Sequence, residues 1–117
     1  MNFPQAISVA FQNYANFKGR SSRPEYWYFY LLIVILSIAS SVGEAIGSTL
    51  LSVIFGLAYL ATMIPAVAVT CRRLHDVGKS GWNQLWALTG IGAFYVLYLL
   101  IKPGHDGSNS YGDPPIA

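Results

Sequence analysis

The sequence predicts an all-α membrane protein: three transmembrane helices preceded by an amphipathic N-terminal interfacial helix. Composition is the first reason. Apolar residues make up 54% of the 117 residues and charged residues only 10%, against about 25% charged in an ordinary soluble domain. The second reason is length. Three runs, Tyr26 to Gly43, Ile46 to Thr70 and Trp82 to Ile101, carry no charged side chain, and each is near the ~20 residues that cross a hydrocarbon core of about 30 Å. A soluble core helix of this length would carry a polar stripe, and these do not.

The elements follow in order. Residues 1–17, MNFPQAISVAFQNYANF, place Phe3, Ile7, Ala10, Phe11, Tyr14 and Phe17 within about 120° of arc at 100° per residue. Asn2, Gln5, Gln12, Asn13 and Asn16 fall on the other side. This is the pattern of a helix lying in the headgroup plane, and equally of one packed on the bundle. Residues 18–101 form the transmembrane domain. Gly19, Ser21 and Ser22 break the first helix, Pro24 suits the opening turn of the next, and Glu25 complements its positive end. Only Glu44 and Ala45 separate the first two crossings, which predicts a tight hairpin with Glu44 solvated at the far interface. Pro65 should kink the second crossing by freeing the carbonyl of Ala61. Residues 102–117, KPGHDGSNSYGDPPIA, read as a polar tail of turns. A cleaved signal peptide is the rival for the first run. About twenty residues precede that run, and it exceeds the usual 7–15 apolar residues.

Basic residues set the orientation. Lys18, Arg20 and Arg23 precede the first crossing, and Arg72, Arg73 and Lys79 separate the second from the third, so two crossings bring both groups to one side. The positive-inside rule makes that side cytoplasmic. Tyr26, Trp27, Tyr28, Trp82 and Trp86 form an aromatic belt at the same level. The expectation is a multi-pass membrane chain with its N-terminus cytoplasmic and its tail on the outer side.

Charge is dense in one stretch, RRLHDVGKSGW, Arg72 to Trp82. Its GKS lacks the upstream glycine and strand of a phosphate-binding loop, because position 73 is arginine. Cys71, His75 and Asp76 are too few for a closed zinc site. Ser80, His75 and Asp76 are the right types for a hydrolase, but neighbours on a helix point about 100° apart, so Asp76 cannot readily orient His75. The plainer reading is a helix end. Arg72 and Arg73 meet the negative dipole end, Arg72 pairs with Asp76 four residues on, Gly78 takes a left-handed cap, and Ser80 caps the third crossing. No catalytic residue, metal or cofactor is expected, and the net charge of +2 does not point to nucleic acid. The candidate site is a cytoplasmic face of Arg20, Arg23, Glu25, Arg72, Arg73, His75 and Asp76, latching the two charged segments or contacting anionic lipid headgroups.

The stretches NFKGRSSRPEYW, RRLHDVGKSGW and NSYGDPP, in this order around three hydrophobic segments, resemble a widespread family of small bacterial inner-membrane proteins, domain of unknown function 805. The third segment departs from the family's pattern in WALTGIG, which lacks a proline before the glycine pair. The resemblance implies a multi-pass inner-membrane protein and no particular activity. Two functions fit the residues: a non-enzymatic protein binding anionic lipid or a protein partner through the Arg/Asp face, or a small oligomeric transporter using the Pro65 kink and polar positions such as Thr62 and Thr89. A charged residue in mid-membrane would favour transport, and none is present. Ser37, Ser40 and Ser41 form a small-residue patch that predicts a homodimer through Ser37 and Ser41.

Overall fold

The computed structural model describes residues 1–115, so Ile116 and Ala117, the end of the expected tail, lie outside the described residues. The described chain is helical, with one isolated β-bridge between Asn109 and Gly112. Helix α1 spans Phe3–Gln12, α2 Arg23–Ala45, α3 Thr49–Ala61, α4 Met63–Asp76 and α5 Ile91–Ile101. A 3-10 segment, Gly81–Thr89, lies between α4 and α5.

Helix α1 begins in a capping box. The Asn2 side chain accepts from the Gln5 N–H at 3.0 Å, and the Gln5 side chain accepts from the Asn2 N–H at 2.9 Å. Ala6 and Ala10 are fully buried, while Phe3 meets Tyr28 and Phe11 meets Phe29 edge to face. The helix therefore packs on α2. It ends five residues short of the expected position 17. Asn13 turns both its backbone and side-chain N–H groups onto the Val9 carbonyl, and Asn16 bonds back to Asn13. Short polar side chains competing for the backbone end the helix here, and they leave Tyr14 and Phe17 beyond it.

Two stretches are long and apolar enough to cross a membrane: Arg23–Ala45 and the broken helix Thr49–Asp76. At 1.5 Å per residue α2 is about 35 Å long. Helix α2 continues through Glu44, which is exposed in its last turn, and the following helix starts at Thr49, three residues later than the expected Ile46. The two pack closely near this turn. A side chain on Gly43 would reach within 2.6 Å of the Ser52 nitrogen, and Ser40 Oγ donates to the Ser52 carbonyl at 3.1 Å. The break expected from Pro65 falls at Thr62, three residues before it. Without a Pro65 N–H the Ala61 carbonyl has no helical partner, and Thr62 Oγ1 donates to the Tyr59 carbonyl at 2.6 Å.

The third crossing is corrected. Trp82 to Ile101 is not one helix but two legs folded at Gly90, whose φ of +78° and ψ of −80° suit glycine alone. The Thr89 hydroxyl fastens the fold, donating to the Trp86 carbonyl at 2.7 Å and accepting from the Gly92 N–H at 3.0 Å. Nine residues of 3-10 helix and eleven of α-helix are both about 17 Å long, half of a ~30 Å core. Both legs return to the same end: Gly81 abuts Cys71 of α4, and the Leu100 carbonyl accepts from Arg73 Nε at 3.2 Å. The tail is therefore corrected too. It lies at the arginine end of the bundle, not opposite it.

Candidate functional site

The end of α4 is buried from Cys71 to Val77, an unusual position for so many polar side chains. Gly78 closes the helix at φ +78°, with its N–H on the His75 carbonyl at 3.0 Å, as its sequence position suggested. Arg72 and Arg73 reach out from this stub, and Arg20 reaches in to it from the linker between α1 and α2.

Arg72 holds the linker between α1 and α2. Its Nη1 donates to the Asn13 and Asn16 carbonyls at 3.1 and 2.6 Å, its Nε to Ser21 Oγ at 2.9 Å, and its Nη2 to Glu25 at 2.8 Å. Ser21 Oγ in turn donates to Glu25 at 3.1 Å, and the Ser21 N–H meets the Arg72 carbonyl at 3.0 Å. Arg73, fully buried, closes the end of α5. It donates to the carbonyls of Leu100, Lys102 and Ser21 and to Asp76. Those Leu100 and Lys102 carbonyls are among the groups that a helix end leaves without helical partners. Arg20 holds the tail, donating from Nε to Asp76 Oδ1 at 2.9 Å and from its Nη atoms to the carbonyls of His105, Gly107 and Gly112 at 2.6, 2.7 and 3.2 Å.

The expected pairing of Arg72 with Asp76 is thus corrected. Arg72 pairs with Glu25, and Asp76 lies between Arg20 and Arg73. Arg72 projects toward the α1–α2 linker, whereas Asp76 projects toward the tail. Guanidinium is suited to this work, because its planar fork can meet a carboxylate and several carbonyls at once. Among the described residues every fully buried side-chain nitrogen and oxygen has a partner. That satisfaction matters, since an unpaired buried charge is costly.

His75 joins the cluster through its ring. Its Nδ1 lies 2.9 Å from the Gly19 carbonyl, which only accepts, so Nδ1 donates there, and Nε2 faces Cys71 Sγ at 3.6 Å. The ring stacks on Tyr111 with centroids 4.1 Å apart. Cys71 and His75 do come together, but Asp76 is turned away to the arginines, and no group of three metal-ligand side chains occurs among the described residues. Ser80 caps the 3-10 segment, accepting from the Trp82 N–H. Arg23 stays outside the cluster, exposed, with a 3.4 Å bond to the Ile101 carbonyl. Ser37 and Ser41 are exposed on α2, while Ser40 between them is turned onto α3.

Sequence reasoning missed Ser21 and the tail segment from Gly104 to Gly112. A signal was present. Asn109 bonds the Tyr111 N–H at 2.8 Å and Ser108 the Asp113 carboxylate at 2.6 Å, which makes NSYGD a self-bonded turn rather than slack chain. Its Asn109 side chain then donates to the His75 carbonyl at 2.9 Å.

A family model described as "Protein of unknown function (DUF805)" matches residues 14–113, which takes in all three buried arginines, both carboxylates and the tail turn. The chain belongs to this family. Within DUF805 it is similar to Inner membrane protein YhaI of Escherichia coli K12, 38% identical over 105 residues and 89% of each chain. It is also similar to Inner membrane protein YhaH of the same strain, 31% identical over 112 residues, covering 89% of this chain and 90% of that one. No solved structure matches. The DUF805 match begins after α1, at the linker that Arg72 holds.

Proposed function

We propose that this protein is a non-catalytic inner-membrane protein whose basic end faces the cytoplasm and binds anionic lipid headgroups. One observation carries the reading: the buried arginines are consumed internally, leaving Lys18, Arg23 and Lys79 exposed at the same end, with Lys102 half-buried over the Tyr98 ring. With the tail folded back, all seven basic residues gather there. Lipid contact thereby passes from Arg20, Arg72 and Arg73, which serve as an internal clamp, to the outer cations. Names such as Inner membrane protein YhaI support the compartment. The apolar lengths of the two crossings carry no charge that would mark a transport path.

In this reading there are two crossings, α2 and α3–α4, and a half-depth hairpin entering from the cytoplasmic side. The helix α1 lies along that interface against α2. A fluorescent reporter that matures only in the cytoplasm, fused after residue 117, should glow, and a periplasm-active phosphatase at the same position should be silent. The opposite result would overturn the topology. For the headgroups, the combined Lys18→Gln, Lys79→Gln and Lys102→Gln variant should lose most of the enrichment of phosphatidylglycerol around the reconstituted protein, at about 1 kcal/mol per cation. Unchanged enrichment would sink the lipid reading.

A further inference from the structure

Between α4 and the first leg of the hairpin runs an open groove of about 600 Å³, within the size range of small-molecule sites. Val67, Cys71 and His75 line it at four-residue intervals along one face of α4. Eight residues of helix separate Val67 from His75, about 12 Å. The deep end is apolar, with Leu85 and Leu88 opposite Val67, and the arginine end is polar, with His75 and Ser80. A ligand in this groove must therefore be amphipathic, with its polar end level with the arginine cluster.

Two further features define that ligand. Gln84 lines both this groove and a neighbouring recess, yet among the described residues its side-chain amide takes no part in the intramolecular hydrogen bonds. An amide in an apolar wall calls for an acceptor such as an ester carbonyl. The chain neighbours of the groove's polar end are cationic: Lys18 follows Phe17, Lys79 precedes Ser80, and both are exposed. Neither makes an ion pair among the described residues. Exposed cations in the two chain segments that close the groove's polar end suit a phosphate.

We propose that the groove binds one acyl chain of an anionic phospholipid from the surrounding leaflet, with the ester near Gln84 and the phosphate between Lys18 and Lys79. The acyl chain lies along Val67, Leu85 and Leu88, covering side chains that the fold leaves open; Leu88 is 84% exposed. The headgroup half of this site rests on the anionic-lipid reading above, and the acyl-chain half does not.

The test uses the full chain purified in detergent, incubated with phosphatidylglycerol and analysed intact by mass spectrometry. The wild type should retain one lipid through delipidation. Leu85→Trp, which fills the groove, should lower retention about tenfold, the worth of one buried apolar side chain. Ile91→Trp, at the exposed hairpin tip, should leave it unchanged. A second measurement needs no filled variant. Chain-brominated phosphatidylglycerol should quench Trp82, a lining residue, and the quenching lost on Trp82→Phe should report it. Equal retention in Leu85→Trp, or no quenching of Trp82, would overturn the groove while leaving the anionic-lipid reading standing. Crosslinks from Leu85 to a second copy of this chain would overturn it as well. Equal retention of phosphatidylcholine would sink the headgroup assignment, and the anionic-lipid reading with it, while sensitivity to Leu85→Trp would uphold the acyl-chain site.

Discussion

The two ends of the helical bundle are fastened by opposite means. At one end Arg20, Arg72 and Arg73 share Glu25 and Asp76 and donate to backbone carbonyls from the α1–α2 linker, the end of α5 and the tail. At the other, α2 and α3 meet through a missing side chain at Gly43 and one serine hydroxyl, and Glu44 faces outward unburied. The first end must satisfy many backbone groups at irregular segments, which helix ends and loops always leave open. The second has only a three-residue turn to make, and close backbone approach suffices. Charge is concentrated where the chain is least regular.

Three experiments would break or sharpen this contrast. The largest effect is expected at the arginine end. Arg73→Lys keeps the charge, but one ammonium cannot reach Asp76 and the carbonyls of Leu100, Lys102 and Ser21 together. Asp76 keeps Arg20, but each buried carbonyl left without its charged donor costs about 1–3 kcal/mol. The variant should unfold far earlier in a denaturant titration in mixed micelles and accumulate poorly in membranes. A stability within experimental error of wild type would show that the cluster is not the main fastening. A smaller loss is expected at the other end. Gly43→Val forces α2 away from the Ser52 backbone and should cost about 1–3 kcal/mol in the same titration. If it matched or exceeded Arg73→Lys, the contrast would be reversed. The smallest effect concerns the exposed face of α2. Ser37→Leu with Ser41→Leu should leave monomer stability unchanged, because both side chains face outward. It should lower the yield of crosslinked dimer in bilayers, at roughly 0.6 kcal/mol per hydroxyl contact. An unchanged dimer yield would remove this surface from the proposed self-association.

Which parts were legible in the sequence follows the same division. The two long apolar stretches were, because a hydrocarbon core demands that much apolar length. The breaks at Pro65 and Gly78 were, because each depends on one residue's backbone chemistry. The hairpin at Gly90 was not. Trp82 to Ile101 has the right length and apolarity for a crossing, and only a positive φ at one glycine among several turns it back. Arg20, Arg72, Arg73, Glu25 and Asp76 could be named together, since all flank the same interface. Their partners could not. Which carboxylate Arg72 meets depends on where the linker and tail return, and backbone carbonyls carry no signature in sequence. Arg23 shows the limit, for it sits beside Pro24 in the same charged stretch and remains outside.

The bonds from Arg20 to the tail set an order of events during biosynthesis. Arg20 emerges from the ribosome 92 residues ahead of Gly112, whose carbonyl is one of its acceptors. At about 5–20 residues per second the wait is on the order of 5–20 s. Throughout that interval α2 and α3–α4 can already be inserted, while Arg20 and the tail-facing side of Asp76 await the segment that covers them. A chain cut short before His105 would keep α1 to α5 and leave the charged end open. The tail thus closes the charged end last in chain order, and every acceptor that Arg20 reaches beyond Asp76 belongs to it.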